Sequence, residues 1–196
     1  VIHPIEHATF VMEWDGKTIA VDPVGGAEAF EDFPQADLIL ITDIHGDHLS
    51  RETVAALASP STTVVAPAAV AEELPQGDWA QVKVLANGAS TAWQGVTVEA
   101  VPMYNLDPEK QSFHPKGRGN GYLLTLGGTR VYIAGGITPK LQHAFEASDF
   151  RRKFEQKGRY AEYMAAIPTY LVTEEVPAFR GLAAILDGHM VNLHQG

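Results

Sequence analysis

The chain contains no cysteine, which removes disulfides, thiolate metal ligands and cysteine nucleophiles together. Positive charge is scarce: 14 Lys and Arg stand against 24 Asp and Glu, a formal net charge of −10. That balance argues against a general nucleic-acid or anionic-membrane surface and leaves room only for a local basic patch. Apolar runs long enough to span a membrane are missing, as is a basic segment followed by an apolar leader core, so a cytoplasmic location is expected. A start at Val1 rather than methionine is expected of a processed or trimmed chain. What is present is ordinary globular material: 45% hydrophobic and 19% charged residues over 196 positions, enough for one sizeable core.

The first two-thirds read as β-rich with short helices between strands. Residues 9–14 and 17–22 flank Asp15-Gly16, a strong hairpin signal. The apolar run 37–42 suits a strand covered on both faces. Ser50 is placed to cap a helix over 51–57, with Glu52 in its favourable first turn. A strand over 62–66 is followed by a short helix opened by Pro67 and running to Leu74. Further strands are expected at 81–85, 96–101, 121–126 and 129–134, the last two joined through Gly127-Gly128. Strands mixed with helices on a shared sheet predict an α/β, or layered α+β, architecture.

Composition shifts at Gly135-Gly136. Helices are expected at 139–148, 150–157, 159–166 and 178–186, with one strand-like piece at 168–173. The predicted organisation is a β-rich half over 1–135, a helix-rich portion over 136–186 packing on the same sheet, and a tail over 187–196. The basic residues within 151–159 read as a solvated helical face.

Chemistry concentrates in Thr42-Asp43-Ile44-His45-Gly46-Asp47-His48, immediately after the apolar run. Asp43, His45, Asp47 and His48 offer imidazole nitrogens and carboxylate oxygens at a density that suits zinc, or else iron or manganese. Residues on alternate positions of an extended turn point the same way, so Asp43 with His45, or His45 with Asp47, can share an ion. Asp47 and His48 are adjacent and aim apart, which allows two neighbouring metal positions. Gly46 permits a tight backbone approach.

This motif resembles the His-x-His-x-Asp-His signature of metallo-β-lactamase-fold hydrolases, with Asp43 where the first histidine stands. The resemblance extends over His7-Ala8-Thr9-Phe10, Asp22-Pro23, Val101-Pro102-Met103-Tyr104-Asn105 and 113–122 to Val131-Tyr132-Ile133-Ala134-Gly135. It is similar to the branch of ascorbate-6-phosphate lactonase-like proteins. The resemblance implies an αββα sandwich with metal at one edge of the sheets. It makes His45, Asp47 and His48 ligands with Asp43 in the missing histidine's place, and gives Asp47 the catalytic task of orienting the attacking water. Asn105, His114, Lys116 and Arg118 are read as substrate-binding, the last two holding an anionic group. The family's bridging aspartate follows the 131–135 strand, where this chain has Gly136-Ile137. His189 and His194 read as solvated tail residues rather than late ligands.

From residue 131 onward the chain resembles something else. Val131-Tyr132-Ile133-Ala134-Gly135-Gly136-Ile137-Thr138-Pro139-Lys140, and the sequence on to about 184, look like the C-terminal segment of bacterial glucokinase. Residues 131–135 are shared by both resemblances, and a chimera joined there is the economical reading. Three functions stay open on the sequence. The first is a metal-dependent hydrolase of a small ester, lactone or phosphorylated substrate, using a metal-bound hydroxide at an incomplete site. The second is a non-catalytic or chimeric scaffold with partial metal binding. The third, more distant, is a nucleotide-binding glucokinase-like fragment. The expected partner is a small anionic molecule, with no nucleic acid and no membrane, and a homo-oligomer is compatible with the sequence.

Overall fold

The computed structural model describes residues 1–74, 77–105, 109 and 112–133, all within one unit of the chain. The helices and strand expected between 139 and 186, the basic run at 151–159, Gly136, His189 and His194 lie outside the described residues.

Among the described residues ten strands form two sheets. Strand β1 (Ile2–Glu6), β2 (Thr9–Trp14), β3 (Lys17–Val21), β4 (Leu38–Leu40), β5 (Thr63–Ala66) and β6 (Gln81–Val84) build a six-stranded sheet in that spatial order. The β1–β2 and β2–β3 pairs are antiparallel, whereas β3 to β6 run parallel. Strands β7 (Ser90–Trp93), β8 (Val96–Met103), β9 (Gly119–Leu126) and β10 (Thr129–Ile133) form an antiparallel sheet in the order β10-β9-β8-β7. Two short helices, α1 (Arg51–Leu57) and α2 (Ala68–Glu73), connect the parallel strands.

Alternation along the strands creates two cores. Met12, Ile19, Val21, Leu38, Leu40 and Val65 face Trp93, Val98, Ala100, Tyr122 and Leu124 of the second sheet. The intervening residues Val11, Ala20, Ile39, Ile41, Val64 and Ala66 pack against Val54 and Leu57 of α1 and Val70 of α2. Successive side chains leave a strand on opposite faces, so each parallel strand feeds both cores. That is why the centre of the run at 37–42 is apolar throughout: Leu38, Ile39, Leu40 and Ile41 are all fully buried. The described layers are therefore helix, sheet and sheet, in agreement with the expected sandwich.

Local chemistry sets the connections. In the β2–β3 turn Asp15 and Gly16 have φ of 50° and 70°, the left-handed pair that matches the strands' twist. Ser50 accepts a hydrogen bond at its side chain from the Thr53 amide, capping α1. β1 and β7 were not expected from the sequence. β1 is an edge strand carrying Pro4, paired on one side only and mostly exposed, so it lacks the apolar run of a central strand. β7 is the opposite sheet's edge and buries only Trp93.

Candidate metal centre

The sequence between Ile41 and Ser50 leaves the sheet at the carboxyl ends of the parallel strands, where open α/β sheets place their ligands. Asn120 fixes the start of this loop. Its amide donates to the Thr42 carbonyl (2.9 Å), its side-chain nitrogen to the Leu85 carbonyl (2.9 Å), and its side-chain oxygen accepts from Asn87 (2.7 Å). Tyr122, fully buried with its hydroxyl pKa pushed up by that burial, donates to the Ile41 carbonyl (2.8 Å). The second sheet thus holds the chain on both sides of residue 42.

At the loop's base lies a buried polar cluster. Asp22 accepts from the Thr42 amide (2.7 Å), the Thr42 hydroxyl (2.6 Å) and the His48 Nδ1 (2.8 Å). Its φ of 44° turns the backbone at the end of β3, a conformation aspartate tolerates better than most residues. Complete burial lifts the Asp22 carboxyl, against the lowering effect of its bonds to His48 and Thr42. Burial disfavours charge on His48 too, but the bond and charge of Asp22 outweigh it and raise the imidazole's pKa. The bond to Asp22 places a proton on Nδ1, so in the neutral ring the lone pair lies on Nε2. A histidine tied to a carboxylate in this way has the arrangement found behind many metal-ligating histidines.

Three groups that could hold a metal converge above this base. One ligand atom each of Asp43, His45 and His114 lie within 4.8 Å of one another. Asp43 is buried; its Oδ1 accepts from the Ile44 amide (2.6 Å), while its Oδ2 lies 3.7 Å from His114 Nε2 and has no hydrogen-bond partner among the described residues. His45 and His114 meet edge to face, ring centroids 4.8 Å apart. Burial, with the neighbouring His45, Arg118 and His48 adding to it and Asp43 opposing, holds the His114 pKa below its ordinary value, so the ring is a neutral donor. Gly119 gives the cluster its room: a Cβ there would come within 3.1 Å of both Asp43 Oδ2 and the Thr42 carbonyl.

The residues singled out in the sequence divide as follows. Asp43 and His45 come together, joined by His114 rather than by Asp47. His48 is anchored on Asp22, with its Nε2 3.6 Å from Asp47 Oδ2. Asp47 reaches solvent, its side chain 55% exposed. Arg118 enters the cluster, its Nε 3.4 Å from Asp43 Oδ1 and its Nη2 3.1 Å from His45 Nε2. Asn105 supports His114, donating its amide to the His114 carbonyl (3.0 Å) with side-chain nitrogens 3.3 Å apart. Lys116 is exposed, its nitrogen 5.6 Å from the centre of the Tyr104 ring and outside the cluster. Sequence reasoning noticed Asp22 only as part of a resemblance. Its position at the end of a strand, before proline, was the available signal.

Residues 2–150 match a family described as a beta-lactamase superfamily domain, three-quarters of the chain. The chain belongs to the beta-lactamase superfamily. A second match, to glucokinase, covers residues 117–189 and overlaps the first. Among solved structures, a protein from Parabacteroides distasonis described as a metal-dependent hydrolase shares 39% identity, with a TM-score of 0.61 over 68% of this chain and 59% of its own. An isothiocyanate hydrolase from Delia radicum gut bacteria shares 18% identity and a TM-score of 0.53 over 72% of this chain and 66% of its own, a likeness of fold. The glucokinase of Aromatoleum aromaticum is 58% identical over 65 residues, which is 33% of this chain and 20% of that enzyme. The chain thus spans only a fifth of that glucokinase and under two-thirds of the Parabacteroides protein. Both expected resemblances are found, a superfamily fold at the front and a glucokinase-like segment behind it. No described helix is long and apolar enough to cross a membrane.

Proposed function

We propose that this chain is a metal-dependent hydrolase acting on a small, anionic ester, lactone or phosphorylated substrate. One observation carries the reading: Asp43 buries its Oδ2 with no hydrogen-bond partner among the described residues, facing the neutral His114 with His45 alongside. A buried acceptor left unpaired is costly unless something positive completes it. Asp43, His45 and His114 would hold a divalent ion, zinc first and iron or manganese next, as the oxygen and nitrogen donor set suits. His48, oriented by Asp22, and the adjacent Asp47 would offer a second pair of donors. Such an ion acidifies coordinated water and polarises an ester or phosphoryl oxygen. Asp47, solvent-facing beside His48, is the group to accept a proton and orient water. Arg118 and Lys116 supply positive charge for an anionic substrate, and Asn105 steadies His114. The reading extends to a cytoplasmic protein without nucleic-acid or membrane partners.

Metal analysis of protein grown in supplemented medium tests this. Stoichiometric zinc, iron or manganese, lost in the His45→Ala and His114→Ala variants, is expected; a protein that carries no ion sinks the proposal. Gly136 favours a second reading, a scaffold that binds metal without turnover, because glycine stands where the resembled enzymes have a bridging aspartate. Turnover abolished by Asp47→Asn would exclude the scaffold. The glucokinase-like segment raises nucleotide binding as a third reading, and a flat thermal-shift response to ATP would count against it.

A further inference from the structure

Arg118 stands in an unusual place. It contacts two of the three residues that would hold the ion, and its own Nε is buried without a hydrogen-bond partner among the described residues. The guanidinium also donates to the Phe113 carbonyl, which anchors its outer edge. Guanidinium groups carry only donors and stay protonated, so the partner nitrogen on His45 must be the acceptor. The hydrogen bond at 3.1 Å therefore uses the Nε2 lone pair and puts the proton of the neutral ring on Nδ1, the nitrogen that lies 3.9 Å from Asp43 Oδ1, so neither ring nitrogen is left open to an ion. The same guanidinium sits against Asp43, whose charge it balances in a buried setting.

From this contact pattern we infer that Arg118 is a built-in cation that occupies the metal ligands Asp43 and His45, so that a divalent ion binds only by displacing it. The inference rests on the metal-site reading above and adds to it the residue that sets the site's affinity. Two effects act in the same direction. An ion must break the Arg118–His45 bond to gain Nε2, or displace the proton that this bond keeps on Nδ1, and it must approach a fixed positive charge in a poorly solvated place, where like-charge repulsion is weakly screened. In the metal-free protein Arg118 balances the Asp43 charge from the Oδ1 side and leaves Oδ2 without a hydrogen-bond partner among the described residues.

The test compares wild type with Arg118→Met and Arg118→Lys by zinc titration against a competing chelator dye, and by urea unfolding in chelator. Arg118→Met is expected to bind zinc about tenfold more tightly or better, equivalent to about 1.4 kcal/mol. Arg118→Lys, which keeps the charge but loses the fork, should fall between the two. Without metal, Arg118→Met should unfold at lower urea, since Asp43 is left buried and uncompensated, and adding Asp43→Asn should recover much of that loss. Metal would then raise the variant's midpoint more than the wild type's. If Arg118→Met binds zinc no more tightly than a wild type that does bind, the inference is wrong and the metal site stands. Metal-free stability indifferent to Arg118→Met also overturns it, whatever the titration gives. If no form binds zinc, both the site and the inference fall.

Discussion

Replacing Asp22 by asparagine removes one charge and exchanges one oxygen for an amino group, with almost no change of volume. The carboxylate accepts three hydrogen bonds: Oδ1 from the Thr42 amide at 2.7 Å, and Oδ2 from the Thr42 hydroxyl at 2.6 Å and His48 Nδ1 at 2.8 Å. If the new amino group takes the Oδ2 place, it faces two donors. The hydroxyl can rotate, but the imidazole must move its proton to Nε2 to accept. If the amide is flipped, the amino group faces the Thr42 backbone N–H, which cannot adapt. Either way at least one charge-assisted bond is lost in a site with no access to solvent, and bonds to charged groups contribute about 1.5–3 kcal/mol each. With one neutral bond regained, we expect Asp22→Asn to lower the unfolding free energy by about 2–4 kcal/mol, read by urea unfolding in chelator. In the first orientation the forced tautomer places a proton on His48 Nε2, and in the second the amide is pushed off Thr42 and with it the oxygen that orients His48, so zinc affinity should fall by about 10–100-fold, as for other residues that orient a ligand. A variant as stable as wild type, with unchanged zinc affinity, would refute the claim that this buried carboxylate sets the tautomer of His48.

Other substitutions separate the roles of neighbouring residues. Gly119→Ala should cost about 1–3 kcal/mol by overpacking against Thr42 and Asp43, and should weaken zinc binding in the same titration. Tyr122→Phe removes the donor to the Ile41 carbonyl and should cost about 1 kcal/mol in urea unfolding. Ser50→Ala deletes the α1 cap and should also cost about 1 kcal/mol, yet leave zinc affinity unchanged because the cap does not reach the cluster. Gly136→Asp, which restores an acid at the position of the resembled bridging aspartate, should raise the metal content measured per chain. No rise would argue that the missing aspartate is not what limits the site.

Much of the fold was written in short stretches. Asp15-Gly16 specified the β2–β3 hairpin because its two residues accept positive φ, and Ser50 specified the start of α1 because its side chain satisfies a free amide. The all-apolar run around Leu38–Leu40 announced a strand buried on both faces. Edge strands were another matter. β1 and β7 gain their strand character from a single neighbour, and a sequence with Pro4, or with exposed Ser90 and Ala92, carries little trace of that neighbour.

The site divides along the same line. Asp43, His45, Asp47 and His48 are close in sequence, and their density alone named the candidate metal loop. Asp22, His114 and Arg118 join them only after β3 and β4 pair in parallel and β9 packs across the sheet, contacts that no local pattern encodes. The sequence therefore determined which residues could bind a metal and where the sheet would open to hold them. Tertiary structure decided which of them meet, because a ligand set is a matter of distances of a few ångströms between strands far apart in the chain.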